Sequence, residues 1–289
     1  MHDNVVWILL PSYNEAETLP RLLASIADAM LASRRKYHVV VVDDGSTDGT
    51  GAVLESLRRA YPVDVIRHTL NRGLGETERD GFEYIAERCA PDDVVVRLDC
   101  DDTHEPRYIE TLVAKLDEGY DVVTSSRFSA GGGQVGVSRY RAIVSLAANI
   151  FMRLLFRVPG LREYSCGFRA YRGGALKAAI AVYGNQFLQL RGLGFTSTLE
   201  TVVKLHLLGC RMTEVPFVLR YDKKIGASKM VGSVTTLGYF VMAILYHWPW
   251  GGWARQYAQL ANLYRRDPGE AVRTYRRTAV RGGASQISF

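Results

Sequence analysis

The chain has 289 residues, which is long enough for one large domain or for one domain with appendages. With 47% hydrophobic and 23% charged residues, the composition excludes a wholly disordered protein. The net charge of +6 is uneven, because residues 255–289 carry seven arginines and only two acids. No motif combines aromatic and basic residues in the manner of nucleic-acid-binding proteins, so we expect no nucleic-acid partner.

The cysteines and the N-terminal segment indicate in which cellular compartment we expect the protein. Cys89, Cys100, Cys166 and Cys210 show no metal-ligand spacing and predict free thiols in a reducing environment. The N-terminal apolar run is short and follows no basic region, so we interpret it as a first strand and not as a signal peptide. Glycine, proline and polar residues dilute the apolar segment 231–254 below a membrane span. We therefore expect a cytoplasmic protein, peripheral at the membrane.

The first half of the chain alternates strands with helices. Leu19, Leu22, Leu23 and Ile26 recur at helical spacing, and the four valines at 39–42 are typical of a parallel strand buried on both faces. The order predicts an α/β fold, a doubly wound and mostly parallel sheet that binds ligands at the carboxyl ends of its strands. The predicted strands are 5–11, 37–44, 63–68, 93–99 and 120–128, and the predicted helices are 17–30, 50–61, 75–89 and 106–118.

The second half is less regular. Its last part predicts a polar, mobile loop at 223–230, an apolar helix at about 235–246, and a tail from Arg265 that packs loosely or frays. Before that loop the pattern predicts a Gly-rich loop at 129–138, helices at 139–156 and 195–208, a loop or short strand at 163–173, and one late strand at 210–222.

The segment VVVRLDCDDTHEP, residues 94–106, carries the most informative motif. It delivers two carboxylates, Asp99 and Asp101, to the end of the predicted fourth strand. Mg²⁺ and Mn²⁺ prefer oxygen ligands and commonly lie between one or two carboxylates and the phosphates of a substrate. An isolated pair of this kind is more often a solvated turn. Two polar turns upstream favour a metal–diphosphate site instead.

The first two strands end in these polar turns. One turn is PSYNE, residues 11–15, and the other is DDGSTDGT, residues 43–50. Each turn alone is explained by turn and helix-cap chemistry. Together with Asp99 they place acids at three strand ends, where the acids would repel one another unless a cation or a polar ligand lay between them.

These motifs resemble the family 2 inverting glycosyltransferases with the GT-A fold. The resemblance rests on PSYNE, VVVDDGSTDGT, NRGLGE, LDCDD and SSRF, and it covers residues 5–230. GFRAYR at 167–172 and EVPFVLRYDKKIGASKM at 214–230 are similar to the polyprenyl-phosphate or dolichol-phosphate mannose synthase branch. The resemblance implies a GDP- or UDP-linked sugar as donor, Mg²⁺ or Mn²⁺ as cofactor, and a polyprenyl phosphate or another lipid as acceptor.

The resemblance assigns the donor side to the strand ends. Pro11, Tyr13 and Glu15 would line the nucleoside pocket. Asp44, with Asp43 beside it, would recognise the base or the ribose. The acids are compatible with either guanine or uracil, so the base of the donor stays open.

The resemblance also implies the diphosphate site. Gly73 and Gly75 would lie close to the nucleotide. Asp99 and Asp101 would be the metal ligands and would hold the ion against the diphosphate. Thr103 stands where relatives often supply a further polar ligand, commonly Gln, which leaves the third protein ligand open.

Basic positions match those that contact phosphates in the family: Arg127, Arg139 or Arg141, Lys224 and Lys229. A diphosphate leaving group and a phosphate nucleophile need more cationic stabilisation than one metal ion supplies. A solvated helix surface explains Arg141 equally well. Lys229 lies in the sequence GASK, typical of a flexible lid that closes on substrate. We expect Asp101, Arg127 and Lys229 to be the catalytic set.

The resemblance suggests a division of the chain. Residues 1–230 would form the GT-A catalytic domain, with flanking helices. Within it, residues 1–128 would hold the nucleotide sugar, and residues 129–230 would hold the acceptor. Residues 231–289 would add amphipathic C-terminal helices, made of the apolar or interfacial helix and the basic tail.

The implied reaction is direct displacement at the anomeric carbon with inversion, which makes the chain a hexosyltransferase. A phosphate monoester has a second pKa near ~6 and arrives largely ionised, so it needs no strong base. A hydroxyl acceptor would need one, and the candidates are Asp102, Glu163 and Glu200, with His104 a poorer one. The sequence also leaves room for a sugar nucleotidyltransferase, which PSYNE disfavours because it lacks a Gly-rich loop, and for a non-catalytic binding module.

Two apolar segments would meet the lipid tail, residues 143–156 and 234–246. Core packing, or the interface of a homo-oligomer, explains these segments nearly as well. The arginine-rich tail from Arg255 predicts a contact with a membrane surface, because each basic residue near anionic lipid contributes about 1 kcal/mol.

Overall fold

The computed structural model describes residues 4–224 and 232–284, with side chains as far as residue 276. Seven strands form one sheet in the order β3-β2-β1-β4-β7-β5-β8, and β6 pairs with β9 in a second, two-stranded sheet. The strands are β1 (Val5–Ser12), β2 (Lys36–Asp43), β3 (Val63–Arg67), β4 (Val94–Arg97), β5 (Val122–Ser126), β6 (Gly133–Val135), β7 (Arg169–Arg172), β8 (Met212–Pro216) and β9 (Val218–Arg220).

Helices flank the main sheet and follow its strands. None within the described ranges has the length and the apolar character needed to cross a bilayer. Their bounds are α1 (Leu19–Ser33), α2 (Thr50–Leu57), α3 (Leu74–Arg88), α4 (Ile109–Asp117), α5 (Arg139–Phe156), α6 (Gly173–Tyr183), α7 (Thr196–Leu208), α8 (Gly232–His247), α9 (Gly252–Gln256), α10 (Leu260–Arg266) and α11 (Pro268–Ala284).

The main sheet is mostly parallel, as the alternating pattern predicts. Only β7 runs antiparallel, between β4 and β5. The valines of β2 explain the two buried faces: Val39 and Val41 pack in one core with α1 and α4, while Val40 and Val42 pack in the other with α3. Successive side chains of a strand point to opposite faces, so a run of four apolar residues serves both cores.

The late strand predicted at 210–222 is wrong as a single element. Pro216 ends β8, which pairs in parallel with β5, and the chain then enters β9, which pairs with β6 in the small sheet. Proline has no N–H to donate to a ladder and therefore commonly stands at a strand end. The small sheet also adds a strand inside the loop predicted at 129–138.

The loose packing predicted from Arg265 is wrong for the start of α11, where Ala271, Val272 and Tyr275 pack against the core. Residues 268–284 form α11, which packs against α6, and Ala271 is fully buried. Trp253, Tyr257 and Leu260 reach the core that α6 and α7 share. The boundary predicted at residue 230 lies outside the described residues and stays a prediction.

Candidate active site

The turns after β1 and β2 are bonded to each other. The backbone N–H of Asn14 donates to Ser46 Oγ at 2.8 Å, and the backbone N–H of Thr47 donates to Asn14 Oδ1 at 2.8 Å. The backbone N–H of Glu15 donates to Thr50 Oγ1 at 2.9 Å, where α2 begins. These bonds fix the segment that contains Pro11, Tyr13 and Glu15 against the end of β2.

Asp44 holds the loop that carries Gly73. Its carboxylate accepts backbone N–H bonds from Arg72 at 2.9 Å and from Gly73 at 2.8 Å, and it contacts His68 Nδ1 at 2.6 Å. Asp43 accepts a bond from the backbone N–H of Ser46 at 3.1 Å. Both acids are almost fully buried. In this structure Asp44 therefore orders the start of α3, a task that the sequence does not reveal.

Residue 75 must be glycine because the backbone of Arg191 passes close to its Cα. A Cβ at this position would lie 2.5 Å from the Cα of Arg191 and 2.6 Å from its carbonyl oxygen. Arg191 also contacts Glu76, with Nη1 and Oε2 3.3 Å apart. Residue 191 thus borders the loop at 71–76, although no motif of the sequence pointed to it.

The acids of the strand ends converge near Cys100. Burial raises the pKa of the Cys100 thiol, and the negative charges of Glu15, Asp99 and Asp101 raise it further. The first and fourth strand ends therefore meet, because β1 and β4 are direct neighbours in the sheet. The sequence predicts this proximity for three strand ends; it is found for the first and fourth, whereas Asp44 at the second strand end bonds to the backbone of Arg72 and Gly73.

We call residues 99–102, which follow β4, the acidic turn. A buried arginine contacts this turn. Arg97, the last residue of β4, is 2% exposed; its Nη1 lies 2.6 Å from Asp99 Oδ1 and its Nε lies 2.8 Å from Glu78 Oε1. Gly167 leaves the room for it, since a Cβ there would lie 1.9 Å from Nη1. Burial opposes ionisation of Asp99, but the charge of Arg97 lowers the pKa of this carboxyl overall.

Three bonds attach the segment after β9 to the acidic turn. The backbone N–H of Arg220 donates to Thr103 O at 3.1 Å, Lys223 Nζ lies 2.8 Å from Glu105 Oε1, and Lys224 Nζ contacts Asp101 Oδ2. Thr103 donates its Oγ1–H to Asp101 Oδ1 at 2.6 Å. In this structure Thr103 therefore orients a predicted metal ligand.

The acidic pair fits a divalent metal that also takes phosphate oxygens. The described residues contain no group of three or more His, Cys, Asp or Glu side chains placed to hold an ion. Two carboxylates suffice where a substrate diphosphate completes the shell, as is usual for Mg²⁺. The ammonium group of Lys224 on Asp101 shows that the site accommodates a positive charge, so a metal and Lys224 would compete for this oxygen.

Replacing Lys224 with methionine should tighten the binding of Mn²⁺ to donor-free protein by about tenfold, because one competing unit charge is removed. Turnover should fall in the same variant, since Lys224 is expected to contact phosphates. Electron paramagnetic resonance of free Mn²⁺ measures the first effect without any turnover. Lys223→Met is the matched control, because Lys223 pairs with Glu105 instead. Unchanged Mn²⁺ affinity in Lys224→Met would contradict the competition.

Arg127 forms a two-bond ion pair with Glu163. Its Nε and Nη2 lie 2.8 Å from the two carboxylate oxygens, and Nη2 also donates to Ser165 Oγ at 2.9 Å. Burial opposes ionisation of Glu163, but Arg127 and the hydrogen bonds lower its pKa overall. Glu163 is fully buried. A carboxyl with a lowered pKa and both oxygens occupied is a poor general base.

Arg141 and Lys224 meet at one tyrosine. Arg141 Nη1 donates to the hydroxyl of Tyr221 at 2.5 Å, and Lys224 Nζ lies 5.8 Å from the centre of the same ring. Arg139 is exposed at the first residue of α5. The N-terminal end of α5 thus brings its cations towards the acidic turn, through a tyrosine that sequence reasoning missed. The predicted catalytic residue Lys229 lies outside the described residues.

The other base candidates differ in environment. Glu200 is buried in α7 and accepts backbone N–H bonds from Gln189 and Leu190, and burial raises its pKa to about 7. His104 accepts the backbone N–H of Asp99 on Nδ1 at 3.1 Å. Asp102 is partly exposed, pairs with Arg21 at 3.1 Å, and has a pKa that burial raises. Of the four candidates, Asp102 alone combines exposure with a raised pKa.

The protein has an α/β fold with acidic residues at the carboxyl ends of its parallel strands. Sequence comparison identifies the family. The family model described as "Glycosyl transferase family 2" matches residues 7–179. The chain therefore belongs to glycosyl transferase family 2. This assignment speaks against a sugar nucleotidyltransferase.

Two curated relatives cover most of the chain. Polyprenol monophosphomannose synthase of Mycolicibacterium smegmatis is 31% identical over 78% of this chain and 81% of the relative. Undecaprenyl-phosphate mannosyltransferase of Micrococcus luteus is 32% identical over 79% of this chain and 88% of the relative. Both are similar to this chain, and the resemblance inferred from the motifs is confirmed.

Solved structures show the same fold. Glucosyl-3-phosphoglycerate synthase from Mycobacterium tuberculosis, in complex with Mn²⁺, UDP and glucosyl-3-phosphoglycerate, matches with a TM-score of 0.55 at 17% identity, over 84% of this chain and 79% of that one. Mannosyl-3-phosphoglycerate synthase from Rubrobacter xylanophilus matches with a TM-score of 0.53 at 18% identity, over 92% and 78%. The fold is GT-A, as predicted.

Proposed function

We propose that the protein is a metal-dependent inverting glycosyltransferase that moves a sugar from a nucleoside-diphosphate sugar to a polyprenyl phosphate at a membrane surface. The observation that carries this proposal is the similarity to relatives named for polyprenol-phosphate and undecaprenyl-phosphate substrates, over more than three quarters of the chain. A relative named dolichol-phosphate mannosyltransferase, from Pyrococcus furiosus, is 31% identical over a similar share of this chain.

The donor would occupy the carboxyl ends of β1, β2 and β4. Pro11, Tyr13 and Glu15 lie on the turn that is bonded to the end of β2. The loop at 71–76 is held by Asp44 and closes one side of this region. We assign the nucleoside to the space between these two segments, with Asp43 and Asp44 orienting the loop that meets the base or the ribose.

Asp99 and Asp101 would hold the metal ion, which supplies Lewis-acid stabilisation of the departing diphosphate when it is bound. Arg97 restrains Asp99 from below, and Thr103 orients Asp101. The ammonium group of Lys224 contacts Asp101 and could instead contact a phosphate of the bound substrate. These three contacts fix the positions of the carboxylates before any substrate arrives, and such preorganisation is what electrostatic catalysis requires.

The acceptor phosphate would lie between the acidic turn and the start of α5. Arg127, Arg139, Arg141 and Lys229 are the cations assigned to it. One of its oxygens forms a bond to the anomeric carbon, while the bond from that carbon to the diphosphate breaks and its electron pair leaves with the nucleoside diphosphate. The acceptor is already ionised, so no base is needed. Glu163, whose two carboxylate oxygens both bond to Arg127, is not available as a base, which agrees with this mechanism.

The membrane face would be formed by α5 and α8. On α5, Ile143 and Leu154 are about two-thirds exposed, and on α8 Leu237 and Phe240 are about half exposed. Phe151 of α5 contacts Phe240 of α8, with ring centroids 5.5 Å apart, so the two helices present one apolar surface. Monomeric soluble proteins rarely expose a large contiguous apolar patch, and such a patch marks an interaction site.

The exposed tail arginines should also contribute to membrane binding. Truncation after Gly252 would remove Trp253, Tyr257 and Leu260 from the core, so substitution is the cleaner test. Replacing Arg266, Arg273 and Arg276 with glutamine should weaken binding to anionic vesicles by roughly 100-fold, at about 1 kcal/mol for each residue. Vesicle co-sedimentation measures the effect. Equal binding of the variant and the wild type would remove the tail from the membrane contact.

A hydroxyl acceptor is the second candidate function, and one observation favours it. Asp102 combines partial exposure with a raised pKa, which suits a general base. Loss of turnover in Asp102→Asn, with donor binding retained, would support a hydroxyl acceptor over a lipid phosphate.

A turnover assay tests the proposed function. Purified protein with Mn²⁺ would receive a panel of GDP- and UDP-sugars, with and without a short polyprenyl phosphate, and release of nucleoside diphosphate would be followed. We expect one donor to be consumed only when the polyprenyl phosphate is present. Donor binding without lipid-dependent release would overturn the lipid-phosphate acceptor.

A further inference from the structure

A groove lined by arginines runs beside the C-terminal end of α5. Its larger part, of about 450 Å³, is bordered by Arg153, Arg157 and Arg162 and by the turn at 158–161. A smaller part, of about 230 Å³, shares Arg153 and Arg162 and continues along α5 past Ile150. We call these two connected spaces the arginine groove.

The guanidinium groups of this groove form no ion pairs in the described part of the chain. Among the ion pairs of the described residues, none includes Arg153, Arg157 or Arg162. Arg157 donates its Nε–H to the carbonyl of Leu154 at 3.3 Å. Glu214 lies nearby, but its carboxylate accepts the backbone N–H groups of residues 162 and 163. Three guanidinium groups therefore line a concave space open to an anion.

An exposed apolar stripe borders the groove. Leu146, Ile150 and Leu154 recur every fourth residue on α5 and are 45%, 52% and 66% exposed. Trp248 and Trp250, which follow α8, are 63% and 80% exposed. Tryptophan is enriched where the apolar interior of a membrane meets water. The arginines thus stand at the edge of an apolar surface, as the charged side chains of a lipid interface do.

The three arginines of the groove lie away from the acidic turn, although the smaller part of the groove extends to Phe128, the chain neighbour of Arg127. Arg153 follows Arg141 by twelve residues, and a helix rises 1.5 Å per residue, so the two positions are about 18 Å apart along α5. Arg127, the buried cation of the proposed acceptor site, contacts Ser145, which lies nearer the start of the same helix. A phosphate held by Arg153, Arg157 and Arg162 would therefore lie well away from the acidic turn.

We propose that the arginine groove binds the phosphate headgroup of an anionic phospholipid, whose acyl chains lie along Leu146, Ile150 and Leu154. Arginine suits this task because its planar fork binds two phosphate oxygens at once. The lipid is a docking ligand and not the sugar acceptor. The inference rests on the proposed function only in placing the same face of α5 at the membrane.

The test compares two triple variants of the full chain. In Arg153→Gln/Arg157→Gln/Arg162→Gln, binding to phosphatidylcholine vesicles that contain phosphatidylglycerol should weaken on the order of 100-fold. Arg34→Gln/Arg58→Gln/Arg59→Gln removes the same charge from exposed positions at the ends of α1 and α2, which pack on the other side of the sheet. This control should bind within about threefold of the wild type.

Each outcome decides the proposal. Equal losses in the two variants would show a general charge effect, and no loss in the first variant would show that the groove does not bind lipid; either result overturns the proposal. Displacement of the wild type from vesicles by soluble glycerol phosphate would identify a free phosphate site instead. Turnover of a short polyprenyl phosphate in detergent is measured on the same samples. If the wild type fails this assay, the proposed function fails, while vesicle binding still tests the groove.

Discussion

Replacing Arg97 with leucine should lower the free energy of unfolding by about 3–5 kcal/mol, because breaking a buried ion pair leaves the remaining charge uncompensated. Glu78 is 2% exposed and contacts Arg97 at 2.8 Å, so its carboxylate would lose this partner without gaining water. Urea unfolding followed by circular dichroism measures the change. A variant as stable as the wild type would show that Glu78 is neutral or solvated in the folded protein.

The double variant Arg97→Leu/Glu78→Leu separates stability from positioning. Replacing both members of a buried pair by apolar residues is often close to neutral, so this protein should recover most of the lost stability. Asp99 is 30% exposed and can be solvated, but it would lose the guanidinium that restrains it. Turnover should therefore stay depressed by about 10- to 100-fold, the usual effect of removing a group that orients a metal ligand. Full recovery of both quantities would leave Arg97 a purely structural role.

The acidic turn could be predicted from the sequence because the signal is local. A run of valines ending in Asp99 and Asp101 specifies a buried strand and the edge at which it ends. Arg97 ends β4 and Asp99 follows it by two residues, so the alternation rule, extended past the strand end, would have suggested an interaction between them. Its other partner, Glu78, was not, because that contact depends on how α3 packs on the sheet.

The C-terminal segment contains apolar residues that predict packing against the core, but its many arginines hid this pattern. Trp253, Tyr257 and Leu260 recur at helical spacing, and each reaches the core. The arginines that follow, from Arg265 onward, suggested a loose tail, but an amphipathic helix carries its charges on the face opposite its apolar residues. Lys204 strengthens the contact from the other side, since its Nζ lies 3.5 Å from the centre of the Trp253 ring. A buried lysine within α7 gives no hint in the sequence that an aromatic ring from a later helix covers it.

Replacing Asp101 with asparagine should reduce turnover by on the order of 10³-fold, equal to about 4 kcal/mol of transition-state stabilisation. Asparagine keeps the size of the side chain and an oxygen that can accept the bond from Thr103, so the melting temperature should shift by only a few degrees. The charge that would hold the metal and attract Lys224 is lost, and Mn²⁺ binding to donor-free protein should weaken with it. Release of nucleoside diphosphate and Mn²⁺ resonance measure the two effects.

Asp102→Asn is the matched control for this change. Asp102 adopts a left-handed backbone conformation with φ of 60°, which asparagine tolerates well, and its carboxylate pairs with Arg21 on α1. If the acceptor is a phosphate, this variant should retain turnover within about threefold, because surface ion pairs contribute little. A large loss in Asp102→Asn together with a small loss in Asp101→Asn would contradict the role of Asp101 as a metal ligand and would support Asp102 as a general base. The reaction would then depend on proton removal from a hydroxyl, since an ionised phosphate has no proton for Asp102 to take.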